Sequence, residues 1–242
     1  MSKIEVSDDF KMDLSSVIGS ILTNDLIDYK KLNDLRLQNG IHFFFWDKVY
    51  TAFLNGEIKE SVPIELDAAI WQFCGLICPD SKTLFTVVKD KRLNELIRDY
   101  GKKSVPHYSY VFNGFNPSAN DVPNIKNDSY QLEILPLEKD PEWMKKILDR
   151  QKELLGTRVD EIEKHVIVTI ENKGKEIIGF KAYLFSKEMI ELDSQDWSDF
   201  IVPIIDNDKV EKETQHEAPE EEPNKEDTLV KLKVKKKSDK KS

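Results

Sequence analysis

The sequence predicts an α+β fold: a helical N-terminal half, a C-terminal half with one helix and an antiparallel hairpin, and a disordered charged C-terminal tail. Three observations predict it. Apolar residues recur at three- and four-residue intervals through much of the first hundred positions. Two β-rich runs flank Glu171-Asn172-Lys173-Gly174. From Asp206 to Asp227 only Val210 and Ala218 are apolar, too few to offset the entropy of ordering the segment.

The elements follow in order. Phe10, Leu14, Val17, Ile18, Ile21 and Leu22 form one helical stripe. Asn24 reads as the N-cap of a second helix carrying Leu26, Ile27, Leu32 and Leu35, closed by Asn39-Gly40. Ile41 to Leu54, with Phe43-Phe44-Phe45-Trp46, is apolar on most sides and reads as a central buried helix ending at Asn55-Gly56. Pro63 suits the first turn of a further helix running through Ile70, Trp71, Phe73, Leu76 and Ile77. Residues 83–88 fit strand or helix, and Leu93, Leu96, Ile97 and Tyr100 mark a helix stopped by Gly101.

Character changes at Ser104. Residues 105–136 hold four of the ten prolines, a pattern of turns. Asp140 as N-cap, Pro141 at the first helical position and Gly156 past the end then delimit one clear helix. Val166 to Ile170 and Ile177 to Phe185 read as a hairpin around the Asn-Lys-Gly turn, and Ser194 to Ile205 closes the body. This divides the chain into a helical region 1–104, an α+β region 105–205 packed on it, and a tail 206–242.

Charge is uneven along the chain. Residues 206–227 carry ten acids against Lys209, Lys212 and Lys225, and residues 228–242 carry seven lysines against Asp239. The body is acidic, which argues against sequence-independent binding to duplex DNA. The N-terminal residues carry no apolar signal core, and the most apolar stretch, Ile64 to Cys78, is too short for a membrane span. A cytoplasmic protein is the expectation, and two cysteines suit a reducing compartment.

Few residues carry a chemical signal. Cys74 and Cys78 lack the second ligand pair of a zinc site and read as buried thiols. Glu171-Asn172-Lys173 with Asp160 has the form of a metal-dependent nuclease core, but the motif falls on a turn that wants Asn and Gly for backbone reasons. Tyr108, Tyr110 and Phe112 alternate, so in a strand they share one face. That face either packs on the body or forms an aromatic surface for bases or a partner protein. The four histidines have no partner at an informative spacing, and no glycine-rich phosphate loop is present. No cofactor, metal or catalytic residue is assigned.

The tail is more informative. Val230, Leu232 and Val234 alternate with lysines and fall on one face of a candidate strand, followed by Lys235, Lys236 and Lys237. Such a segment can add to an exposed sheet edge at the end of an acidic tether. The sequence therefore points to a non-catalytic interaction or assembly protein whose tail docks on a protein partner. An accessory nucleic-acid binder using the tail lysines is the alternative, and the metal-dependent nuclease a weaker one.

Overall fold

A six-stranded mixed sheet organises the chain, and every strand lies between Val62 and Asp196. The computed structural model describes residues 3–34, 36–37, 39–68, 71–122 and 141–202. The strands are β1 (Val62–Asp67), β2 (Gln72–Cys78), β3 (Thr83–Lys89), β4 (Lys164–Lys173), β5 (Glu176–Phe185) and β6 (Glu191–Asp196). Their order in space is their order in sequence, and all pairs are antiparallel except β3 with β4. The α+β class is as expected.

Helices cover both faces. α1 (Asp8–Ser20) and α3 (Ile41–Leu54) lie on one, where Phe10 meets Phe85 with ring centroids 4.8 Å apart and Trp197 meets Phe180 at 5.5 Å. α4 (Asp90–Asp99) and α5 (Tyr108–Asn113) lie on the other, packing Leu93, Leu96 and Tyr110 against Val88, Ile167 and Phe185. α6 (Pro141–Leu155) closes over α5 at Gly114, where an added Cβ would stand 2.6 Å from Gln151 Nε2. The hairpin of β4 and β5 turns at Gly174, whose φ of 61° is left-handed, so a residue without Cβ is wanted there.

Three expectations need correction. The helix expected from Pro63 to Cys78 is the antiparallel pair β1 and β2. Phe73 to Cys78 are buried on both faces of the sheet. A strand buried in this way reads as an unbroken apolar run, which periodicity alone does not separate from a buried helix. Pro63 sits in β1, an edge strand, where a missing N–H is tolerated. Secondly, Asn24 caps nothing. α1 runs through a π-helical turn, Ile21–Asp25, directly into α2 (Leu26–Leu32). Thr23 Oγ1 and Asn24 Nδ2 bond back to Gly19 O and Ser20 Oγ instead of starting a new helix. Thirdly, Tyr108, Tyr110 and Phe112 lie on the helix α5, not on a strand. The tail, residues 206–242, lies outside the described residues.

A parallel pair needs a long crossover, and here β3 and β4 are joined through α4, α5 and α6. One side chain ties that crossover to the sheet. The β4–β5 ladder stops at Ile167 and Tyr183. Asn116 spans the next position: its Nδ2 donates to His165 O at 2.9 Å and to Phe185 O at 2.7 Å, and its Oδ1 accepts from His165 N at 2.8 Å. All three bonds are buried, so losing them strands backbone groups away from water. Asn116→Ala is expected to lower unfolding stability by about 3 kcal/mol or more, measured by urea denaturation. A loss below about 1 kcal/mol would show that water or relaxation replaces the clamp.

Candidate functional site

The histidine ring beside that clamp is among the most deeply placed titratable side chains of the described residues. His165 is fully buried. Asn113 presents Oδ1 to His165 Nδ1 at 2.6 Å, while its Nδ2 faces Met189 Sδ at 2.8 Å. Nδ1 therefore carries the proton, and Nε2 accepts from the Thr86 hydroxyl at 2.9 Å. Burial pushes the imidazole down to about 3. Both nitrogens are committed and the ring is sealed from solvent, so His165 serves as a neutral structural bridge between α5 and the sheet. His107 caps α5, its Nδ1 accepting from Ser109 N, and burial, helped by the Arg92 and Lys103 charges, also holds it at about 3.

The sequence-predicted residues are not gathered into one site. Tyr110 and Phe112 are buried, with Tyr110 Oη donating to Leu96 O at 2.7 Å. Tyr108 stacks on Phe73, ring centroids 4.1 Å apart. The three are thus packed against the body. Cys74 and Cys78 are four positions apart along β2, so their Cα atoms stand roughly 13 Å apart. Burial pushes both thiols up to about 12. Asp160 precedes β4 and Glu171 lies near its far end, so they are on the order of 25 Å apart, too far to share a metal. Among the described residues no three His, Cys, Asp or Glu side chains are grouped to hold a metal ion. Val230, Leu232, Val234, Lys235, Lys236 and Lys237 lie outside the described residues.

What the structure does bring together is an aromatic corner. α2 folds back on α3, with the rings of Tyr29 and Phe44 stacked 4.0 Å apart at 17°. Further along, Lys48 Nζ meets Asp25 Oδ1 at 2.6 Å across the π-helical turn. α2 has no buried residue. Along the chain from α2 into α3, Leu32, Leu37 and Phe43 are 84%, 75% and 56% exposed. Phe43 is propped between Trp71, at 5.9 Å, and the edge of His42, at 5.8 Å. Lys30, Lys31, Arg36, Asp28 and Asp34 stand around it in sequence, giving the apolar patch a charged border.

A groove beside the corner has a volume of about 140 Å³ and is lined by Ser20, Asp25, Lys48, Thr51, Asn55 and Glu57 among others. It holds a few waters, well short of the roughly 300 Å³ of a small-molecule site. The corner is an exposed apolar surface with a shallow groove beside it.

The comparisons with known proteins add a family. A family model described as "Family of unknown function (DUF5986)" matches residues 3–242. The chain belongs to that family. No curated protein and no solved structure matches it.

Sequence reasoning missed the corner because it read Ile41–Leu54, apolar on most sides, as a central buried helix. A signal was present. Four consecutive aromatics at 43–46 cannot share one face of a helix with 3.6 residues per turn. Phe45 and Trp46 turn inward, which leaves Phe43 outside.

The two neutral histidines make stability acid-sensitive. Their folded-state values lie below the ordinary 6.5, so between about pH 6.5 and 3 the unfolded chain binds protons that the folded chain refuses. Stability is complete above that window and falls as pH drops through it. His165 alone is expected to remove about 2 kcal/mol between pH 6.5 and 5, and urea midpoints across that range measure it. His165→Gln should flatten the dependence, and an unchanged slope would contradict the assignment.

Proposed function

We propose that this protein is a non-catalytic interaction or assembly protein that seats a protein partner on its aromatic corner and engages it further through the C-terminal tail. The observation that supports the reading is the corner itself. Leu32 ends α2, which buries nothing of its own, Leu37 follows it in the chain and Phe43 stands in the first turn of α3; all three hold large apolar side chains in water. An exposed apolar group with a charged border has the composition of a protein-binding surface. Aromatic rings held by their neighbours lose little freedom on binding, and Phe43 is held by Trp71 and His42.

The tail supplies a second element of a different kind. Val230, Leu232 and Val234 alternate with Lys231, Lys233 and Lys235. Main-chain pairing with a partner's sheet edge would use the apolar face for contact and leave the lysines for acidic neighbours. Two weak attachments on one chain reinforce each other, because the first raises the local concentration of the second.

The test compares three full-length chains: the native one, Leu37→Asp with Phe43→Asp, and Val230→Ser with Leu232→Ser and Val234→Ser. Leu37 and Phe43 are exposed, so the circular dichroism and urea midpoint of the corner variant should change little. Light scattering for oligomeric mass and quantitative capture from an extract of the source cells report association. The corner variant is expected to lose at least ten-fold in partner retention, and the tail variant a smaller factor. Unchanged mass and an unchanged partner profile in both variants would overturn the proposal.

A further inference from the structure

Lys89 closes β3 and differs from the lysines that the structure pairs with carboxylates. Lys11, Lys48, Lys82 and Lys146 each face a carboxylate, at 2.8, 2.6, 2.5 and 3.5 Å. Lys89 faces none among the described residues. Its Nζ lies 4.2 Å above the centre of the Phe45 ring and donates to the amide oxygen of Asn172 at 2.5 Å. Both neighbours are neutral. The side chain is half-buried at the end of the parallel pair, where β3 gives way to α4 and β4 runs on to Asn172. Water therefore solvates it incompletely, and no carboxylate among the described residues pairs with it.

We infer that Lys89 is a carbonyl-condensing amine, a site at which small aldehydes form an imine with this protein. The contacts suit both ends of that reaction. Asn172 Oδ1 is an acceptor and holds one N–H, which leaves the nitrogen lone pair of the neutral amine available. That lone pair attacks the carbonyl carbon, the C–N bond forms, and the carbonyl π pair moves to oxygen. The oxygen leaves as water with the two amine protons, and the C=N bond closes. No oxidant or reductant is consumed. One proton taken up from solvent gives the protonated imine, whose N–H has Asn172 as its acceptor and whose positive charge lies over the Phe45 ring.

Burial supports the chemistry by holding the ammonium down to about 8, against an ordinary 10.5. Free amine is thus present near neutrality, the condition that amine nucleophiles require. The aromatic corner plays no part in this argument, and Lys89 can be assayed without any partner.

The experiment treats the full chain with a limiting amount of benzaldehyde and cyanoborohydride at pH 7.5, quenches early, and maps each lysine by peptide mass spectrometry. Lys89 is expected to be modified about ten-fold faster than Lys48 or Lys82, whose ammonium groups are each engaged by a carboxylate. Asn172→Asp, which gives the amine a counter-charge without changing its shape, is expected to slow Lys89 to the rate of those paired lysines. Modification of native Lys89 no faster than Lys48 and Lys82 would overturn the inference. So would an undiminished Lys89 rate in a folded Asn172→Asp chain, checked by unchanged rates at the other lysines.

Discussion

The three hydrogen bonds of Asn116 are the constraint on which the rest of the structure depends. A sheet whose strands followed one another as antiparallel neighbours would need only tight turns. The parallel pairing of β3 with β4 instead forces the chain to travel from Lys89 to Lys164 before it rejoins the sheet. That journey must be anchored, because a crossover free to drift would leave β4 without a defined register. Asn116 anchors it where the β4–β5 ladder ends, filling the place of a missing strand pair with one amide. Asn113 and Thr86 complete the node by fixing the His165 ring between them. A buried polar node of this kind is costly if any member is unsatisfied, which is also why it admits one arrangement.

The consequences reach the surface. With the crossover helices fixed on one face, the other is left to α1 and α3, whose inner sides are consumed by Phe10, Leu14, Phe45, Val49 and Phe53. The continuation of α1 past the π-helical turn then has no sheet beneath it. α2 contacts α3 through Tyr29 and Phe44 and buries nothing. The exposed corner is thus a product of the same architecture that buries His165: the polar group is sealed inside and the apolar one is held out. Stability derives from the first, and we attribute partner recognition to the second.

Much of the fold was legible in the residues. Pro141 and Gly156 bracketed α6, and Gly174 with its Asn neighbour placed the central hairpin, because caps and turns are written in adjacent residues. β1 and β2 were not legible. Both read as helix: burial of β2 on two faces erases the alternation that marks a strand, and β1, which does alternate, reads together with it from Pro63. Asn116 gave no signal at all: its partners are 49 and 69 residues away, and an asparagine in a proline-rich stretch reads as turn chemistry. The candidate surface was half legible. The aromatic run was obvious, but which of its rings faces water is decided by the sheet below and by Trp71 from another connection.

Native-state hydrogen exchange, read amide by amide on the full chain, tests the central claim most directly, because it measures the frame and the open corner together. The His165 amide has the Asn116 side chain as its acceptor. It is expected to exchange only through global unfolding, at the rate of Val168 in the middle of β4. Amides of Leu26–Leu32 are expected to exchange orders of magnitude faster through local opening, because nothing in α2 is buried. A His165 amide that exchanges with those of α2, or an α2 as slow as β4, would contradict the account.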